Sequence, residues 1–232
     1  MIWLGIETAN APLSVAVVKD GAVVAEVVQN IKLTHSVGAM PAVEELLNKA
    51  GLKPTDIDAI AVSEGPGSYT GVRIGVTIAK TLAWTLQKPL VGVSSVKALA
   101  YNGQLFKGVV CALFDARRQH VYAGAYKNGE VVVEDGHMSI EMLLKQLNTI
   151  QEDVLFVGVD VAMYWDKIAA NLGSRAKQAP LSFNLPRASQ VIELAMHMSL
   201  PSIEETHHFV PTYKRIAEAE ANWIKEQKQV DK

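Results

Sequence analysis

The chain has 232 residues, of which 49% are hydrophobic and 20% charged, a composition that fits one or two folded domains and excludes a disordered chain. Its 22 basic and 24 acidic residues give a net charge of −2, which argues against strong nucleic-acid binding by this chain alone, because neutralised phosphates supply most of such affinity. No apolar run approaches the roughly 20 residues of a membrane helix, and the single cysteine, Cys111, cannot form an internal disulfide, so we expect a cytoplasmic protein without a membrane contact.

Three predicted strands open the chain, and a hairpin joins the second to the third. Asp20-Gly21 is a strong two-residue turn signal between apolar runs. A helix then ends at Gly51 and is followed by a buried strand, a long helix, another strand and a helix that Ser94 or Ser95 opens. The predicted bounds are Ile2–Thr8, Leu13–Lys19, Ala22–Asn30, Ser36–Ala50, Ile57–Ser63, Val72–Leu86 and Leu90–Val93.

The junction between the fourth strand and its following helix carries the run GPGSYTG, with three glycines and a proline. A tight turn of this kind can direct several N–H groups toward one point, and the helix dipole adds to the attraction for an anion. Ser68 or Thr70 can cap the helix. We therefore predict either an anion-binding loop or, as the simpler alternative, a capped turn only. The loop residues are Gly65, Gly67, Ser68, Thr70 and Gly71.

The glycines of this stretch carry two further predictions. Gly65 and Gly67 tolerate positive φ, so Gly67→Val should disturb the turn, since a β-branched residue resists positive φ by about 1–2 kcal/mol. Gly71 and Gly75 lie four residues apart on one helix face, which predicts the close approach of another backbone segment.

The second half repeats the pattern of three strands, a helix and a strand. Asn128-Gly129 marks its hairpin, and a charged helix ends the chain. The predicted bounds are Val109–Phe114, Val121–Lys127, Val131–Glu134, Ile140–Leu147, Val154–Val159, Met163–Leu172, Ala188–Met198 and Ile216–Lys228. The repeat predicts an α/β protein of two ribonuclease-H-like (actin-like, ASKHA) subdomains, residues 1–104 and 105–232, each a mixed β-sheet flanked by helices.

In that architecture ligands bind between the halves, so side chains after the leading strands are candidate cleft residues. Glu7 either arranges a metal or water near phosphate or is an ordinary strand-end carboxylate. Asp115 either lies beside an anionic ligand bound by the following arginines or caps its own loop. The candidate cleft residues are Glu7, Thr8, Asp115, Arg117 and Arg118.

One apolar stripe runs along the helix predicted at Ser36–Ala50. Most such stripes pack on their own sheet. Here Leu46 adds an apolar side chain next to the stripe, more than contact with one sheet requires, and Pro41 should kink the helix and help expose its first turn. Both features favour instead a surface for a partner. The predicted partner residues are Val37, Met40, Val43 and Leu47.

Six stretches of the chain together resemble the TsaB (YeaZ) family, and they cover most of its length. They are Ile6–Thr8, HSVGAMPAVEELL from His35, GPGSYTGVRIG from Gly65, PLVGVSSVKAL from Pro89, FDARRQHVYAGAY from Phe114 and VPTYKRIAEAEANW from Val210. The resemblance implies a non-catalytic subunit in the synthesis of N6-threonylcarbamoyladenosine next to the anticodon of tRNA. Its implied partners are a TsaD-like catalytic subunit, a TsaE-like ATPase, a second copy of the chain, and tRNA through the complex.

The catalytic relative, TsaD, carries two metal-binding histidines in a GVNHxxGH-like segment. The comparable run here is GVSSVKAL, where Ser95 and Leu99 occupy the histidine positions and leucine cannot bind a metal. The six histidines show no HxxxH or HExxH spacing. We therefore expect no catalytic residues, no metal site and no cofactor. The rival functions are a small ATPase or phosphotransferase and a glycoprotease-type metallopeptidase.

Overall fold

The computed structural model describes residues 1–31 and 34–214, and its first half contains five strands and three helices. The alternating apolar residues of the predicted leading strands form a hairpin whose turn has positive φ at Asp20 and Gly21, as the sequence predicts. The elements are β1 (Ile2–Glu7), β2 (Leu13–Lys19), β3 (Ala22–Gln29), α1 (His35–Lys49), β4 (Ala59–Gly65), α2 (Tyr69–Leu86), β5 (Leu90–Ser94) and α3 (Ser95–Tyr101).

The second half repeats this order, again with five strands and three helices. A hairpin at Asn128 and Gly129, both with positive φ, again joins the second and third strands. The elements are β6 (Val109–Asp115), β7 (His120–Lys127), β8 (Glu130–Ser139), α4 (Ile140–Asn148), β9 (Val154–Val157), α5 (Val161–Leu172), β10 (Ala176–Gln178) and α6 (Ala188–Met196).

The two halves have the same sheet topology, which confirms the predicted duplication. The first sheet has the order β3-β2-β1-β4-β5 and the second the order β10-β9-β6-β7-β8. In each, the leading strand pairs antiparallel with its hairpin partner and parallel with the strand after the first helix. This arrangement brings the carboxyl ends of the parallel strands to one edge of each sheet.

Each sheet is covered on one face by helices of its own half and on the other face by a helix of the other half. Helices α1 and α2 pack on one face of the first sheet, and α4 and α5 pack on one face of the second. The remaining faces point toward each other, and α3 packs on the second sheet while α6 packs on the first. The division into residues 1–104 and 105–232 stays a prediction, but each half contributes one helix to the core of the other.

Several predicted bounds differ from those of the structure. The fourth strand begins at Ala59, two residues later than predicted, because Ile57 follows a short 3-10 turn at Pro54–Asp56. Strand β8 extends beyond its apolar run, through half-buried polar residues that pair with β7. Strand β10 has three residues, two of them polar, and its sequence carries no strand signal. The predicted helix at Ile216–Lys228 lies outside the described residues.

Within residues 1–31 and 34–214, no helix is both long and apolar enough to cross a membrane.

Candidate functional site

The glycine-rich loop joins β4 to α2 and is capped as the sequence predicts. Ser68 is the residue before the helix, and its hydroxyl accepts a hydrogen bond from the Gly71 amide at 3.4 Å. Gly65 has φ +111°, a conformation that glycine adopts without a steric penalty. Its amide donates to the Ser95 hydroxyl at 3.1 Å, which ties the loop to the start of α3. Ser68, rather than Thr70, therefore provides the cap.

Gly67 is required for a different reason from the predicted one. It lies outside the positive-φ residues of the chain. A Cβ at this position would instead lie closer than 3.0 Å to the carbonyl oxygen and to the Cβ of Ala9. The predicted close approach of another backbone segment is confirmed at Gly71, where a Cβ would meet the Thr8 carbonyl oxygen, whereas at Gly75 it would meet the Thr8 side-chain hydroxyl. The loop is therefore packed against the chain that follows β1.

The loop is also covered by the chain between residues 206 and 214. Lys80 of α2 donates to the carbonyls of His207 and Phe209 at 2.8 and 3.0 Å, which holds this segment along α2. The Thr212 amide then donates to the carbonyl of Glu64 at 2.7 Å, and a Cβ on Gly65 would collide with the Thr212 carbonyl. One side of the loop is thus closed by the protein itself, and binding of an anion there stays a prediction.

Glu7 lies at the end of β1 and is fully buried. Burial raises the pKa of its carboxyl group to about 7, against the opposing effects of a hydrogen bond from the Ala9 amide at 2.6 Å and of the nearby Ser63 hydroxyl. Ser63 makes no hydrogen bond of normal geometry to the carboxylate, and neither Glu7 Oε2 nor Ser63 Oγ has a hydrogen-bond partner among the described residues. The enclosed position favours the interpretation as a structural strand-end carboxyl over a group that meets a ligand.

The raised pKa predicts that the stability of the protein falls between about pH 4.5 and 7. Glu7 keeps its proton in the folded protein but ionises near its ordinary value of 4.5 in the unfolded chain. The unfolded chain therefore binds fewer protons over this interval, and the free energy of unfolding should drop by about 2 kcal/mol from pH 5 to 7.5 and then level off. Glu7→Gln should remove this component in urea unfolding curves at several pH values. An identical pH profile for both proteins would contradict the assignment.

Two of the other candidate cleft residues, Thr8 and Asp115, make hydrogen bonds within their own halves. Thr8 is buried and its hydroxyl donates to the Gly71 carbonyl at 2.8 Å, on the side of α2. The Asp115 carboxylate accepts hydrogen bonds from the Tyr164 hydroxyl and, at 3.1 Å, from the Arg117 amide, so it caps its own loop as in the simpler alternative. Arg117 and Arg118 are exposed on the turn between β6 and β7. That these residues line one cleft between the halves stays a prediction.

Sequence reasoning missed the pair that joins the two halves at this edge. Asn10 donates to Asp160 at 3.1 Å, and the same carboxylate oxygen accepts the Asp115 amide at 2.9 Å. Asp115 is the last residue of β6, and Asp160 lies shortly after β9, the parallel neighbour of β6. Its place after a predicted parallel strand was the signal that could have identified it.

The predicted partner stripe on α1 divides into a buried and an exposed part. Val43 and Leu47 are buried in the core against the first sheet. The prediction that these two residues contact a partner is therefore wrong. Their side chains point inward because they fall on the helix face that meets the sheet. Val37 and Met40 are 62% and 43% exposed and remain accessible on the first turns. These two accessible residues, Val37 and Met40, form the α1 patch.

Ser95 and Leu99, at the positions of the catalytic relative's histidines, are both fully buried on α3. The Ser95 hydroxyl accepts the Gly65 amide, and Leu99 packs in the core between α3 and the second sheet. Among residues 1–31 and 34–214, no group of three or more His, Cys, Asp or Glu side chains could hold a metal ion. At these two positions, Ser95 therefore contacts the glycine-rich loop and Leu99 is a core residue.

Comparison with known sequences gives a family match over most of the chain. Residues 22–223 match the family model described as TsaD, tRNA N6-adenosine threonylcarbamoyltransferase. The chain is 44% identical over 232 residues to the tRNA threonylcarbamoyladenosine biosynthesis protein TsaB of Bacillus subtilis, covering 98% of this chain and 100% of that protein.

Solved structures agree with this match. YeaZ from Pseudomonas aeruginosa superimposes with a TM-score of 0.72 at 26% identity, covering 91% of this chain and 99% of that one. The ROK hexokinase of Thermus thermophilus, at 13% identity and a TM-score of 0.50, covers 85% of this chain and 100% of that one, and shares the fold alone. Both sheets and their connections are thus those of the actin-like architecture. The chain belongs to the TsaB (YeaZ) family of tRNA threonylcarbamoyladenosine biosynthesis proteins.

Proposed function

We propose that this chain is the non-catalytic partner of a TsaD-like enzyme that transfers a threonylcarbamoyl group to the adenosine next to the anticodon of tRNA. The observation that carries the proposal is the filling of the two histidine positions by Ser95 and Leu99. A buried leucine side chain has no atom that can bind a metal ion, so the metal chemistry of the complex belongs to the partner.

The α1 patch supports a role in assembly. An exposed valine and an exposed methionine lie one turn apart on the first turns of α1, while the helix face behind them is already packed on the sheet. Methionine adapts its shape to different surfaces, which suits an interface shared by a TsaD-like partner and a second copy of the chain. In this proposal a TsaE-like ATPase joins the pair, tRNA is reached through the complex, and the complex works in the cytoplasm.

A phosphotransferase or ATPase acting in the same cleft is less well supported. Such an enzyme needs carboxylates that face the nucleotide and its metal. Glu7, the candidate at the end of the first strand, has no accessible surface, and Asp115 is engaged by Tyr164 and by its own turn. A turnover assay with ATP and magnesium separates the two functions.

The proposal is tested by reconstitution with the TsaD-like partner, the TsaE-like ATPase, threonylcarbamoyl adenylate and unmodified tRNA. We expect threonylcarbamoyladenosine to form only when this chain is present. Formation at an equal rate without the chain would contradict the proposed role.

The isolated chain is expected neither to modify tRNA nor to hydrolyse peptides. The reason is that Ser95 and Leu99 leave no ligands at the position where the relative holds its metal. Mass spectrometry of tRNA after incubation with the chain alone is the measurement, with the complete mixture as positive control. Turnover accompanied by one bound metal ion per chain would refute this expectation.

A further inference from the structure

The segment 206–214 lies along α2 and belongs to neither sheet. Its ring contacts follow the helix from one end to the other. The ring centroids of His207 and Trp84 are 3.7 Å apart near the end of α2, and those of Tyr213 and Tyr69 are 5.2 Å apart at its first residue. Residues 206–214 therefore form a strap that runs antiparallel to α2 over most of its length.

One lysine makes two of the hydrogen bonds that hold the strap. Lys80 of α2 donates to the carbonyls of His207 and Phe209 at 2.8 and 3.0 Å. The strap side chains add little burial, since Phe209 is half-buried, Val210 is 66% exposed and Tyr213 is 48% exposed. A segment with few buried apolar contacts opens more readily than the core. The attachment of the strap therefore depends strongly on the Lys80 ammonium group.

The far end of the strap passes over the start of the glycine-rich loop. The Thr212 amide donates to the Glu64 carbonyl at 2.7 Å, and a Cβ on Gly65 would lie 2.5 Å from the Thr212 carbonyl oxygen. Lys214 Nζ then lies 3.9 Å from the Asp135 carboxylate of β8. The closed strap thus covers the loop and reaches the second half of the protein.

The closed strap keeps two polar groups in unfavourable surroundings. Thr206 is 2% exposed, and its hydroxyl has no hydrogen-bond partner in the described part of the chain. Burial raises the pKa of the Glu64 carboxyl group, as does nearby Asp135, and the Thr212 hydroxyl and Lys214 offset this only in part. A buried hydroxyl without a partner and a carboxyl group removed from water both favour opening.

We propose that the strap opens as one unit while both halves stay folded, and that its opening uncovers the glycine-rich loop. Residues 197–203, which join α6 to the strap, can serve as the pivot, because they lie outside every helix and strand and residues 197–200 are exposed. Release of the strap requires no change in the pairing of either sheet. The device is a property of the chain alone, so its test requires neither a partner nor tRNA.

Hydrogen exchange of two strap amides in the full-length chain tests the proposal. The Phe209 amide donates to the Thr206 carbonyl at 3.3 Å and the Thr212 amide donates to Glu64, so the two amides report on different parts of the strap. Lys80→Met removes the ammonium donor and keeps most of the side-chain length. We expect exchange at both amides to rise by at least about tenfold, because two charge-assisted hydrogen bonds are lost, while exchange within α2 stays unchanged.

Two further variants control for this result. Thr206→Val removes the unpaired hydroxyl with little change in shape, so exchange at both strap amides should slow by about threefold or more. Lys167→Met removes an ammonium group that donates to Gln119 in the second half, and it should leave the exchange of the strap unchanged.

Uncovering of the loop is measured with Glu64→Cys, which places a thiol under the strap. The natural Cys111 is fully buried, so labelling by iodoacetamide reports on the introduced thiol. Adding Lys80→Met should raise the labelling rate by about the same factor as the hydrogen exchange.

Four results would overturn the proposal. With Lys80→Met, faster exchange at Phe209 but not at Thr212 would show that the parts of the strap open separately. Faster exchange throughout α2 and the first sheet would show that the strap belongs to the core. Unchanged exchange at both amides would show that Lys80 does not hold the strap, and an unchanged labelling rate would show that opening does not uncover the loop.

Discussion

Gly67→Val is expected to lower the free energy of unfolding by at least about 3 kcal/mol and to abolish support of tRNA modification. A Cβ at residue 67 would lie closer than 3.0 Å to the Ala9 carbonyl oxygen. That oxygen also accepts the Ser68 amide at 2.7 Å, so the backbone cannot move away without losing this hydrogen bond. Urea unfolding of the isolated variant gives the stability, and the reconstituted assay gives the function.

Gly136→Val is the matched control for this prediction. Gly136 lies in β8, and a Cβ there would meet only the end of the Met138 side chain, at 4.0 Å. We expect its stability to change by less than about 1 kcal/mol, since valine is well accommodated in a strand. If both variants have similar stability, the contact between the loop and Ala9 is not rigid.

Met40→Arg is expected to leave the monomer folded while weakening association with the TsaD-like partner by at least about a hundredfold. Met40 is 43% exposed, so a longer charged side chain can reach water in the monomer. In an apolar helix-on-helix seam the same charge would be buried without a partner, at a cost of several kcal/mol. Sedimentation and partner capture measure the association, and thermal unfolding measures the monomer.

Met142→Arg provides a closely matched control on the other half of the protein. Met142 is 53% exposed on α4, so the substitution, the secondary structure and the exposure are alike. It should retain partner binding. Equal association by both variants would show that the α1 patch faces elsewhere, and an unfolded Met40→Arg monomer would show that Met40 is part of the core.

The fold could be predicted from the sequence because its signals are local. Asp20-Gly21 and Asn128-Gly129 fix the two hairpins, and the apolar period of each helix gives its buried face. Repetition of these signals in one order was enough to predict two like sheets. Strand β10 was missed because its pairing with β9 depends on a neighbour far along the chain and not on its own residues.

The candidate site was less predictable, because it depends on which segments approach each other. The cap at Ser68 is local and was predicted, whereas the need for Gly67 arises from Ala9, which belongs to a different connection. Val43 and Leu47 illustrate a second limit. The spacing of a stripe shows that residues share a helix face, but only the position of the sheet shows which of those residues are buried against it.

The crossing of α6 onto the first sheet has a consequence for how the protein folds during synthesis. The Ala188 amide donates to the Ser14 hydroxyl at 2.9 Å, a contact between residues 174 positions apart. Trp3, Ala16 and Ala61 of the first sheet are covered by α6, so that face stays open to water until the ribosome has released the chain beyond Met196. The amino-terminal half therefore waits for the carboxyl-terminal half. Met196 lies 95 residues beyond the end of α3, so at the roughly 5–20 residues that a ribosome adds each second this interval lasts about 5 to 20 seconds.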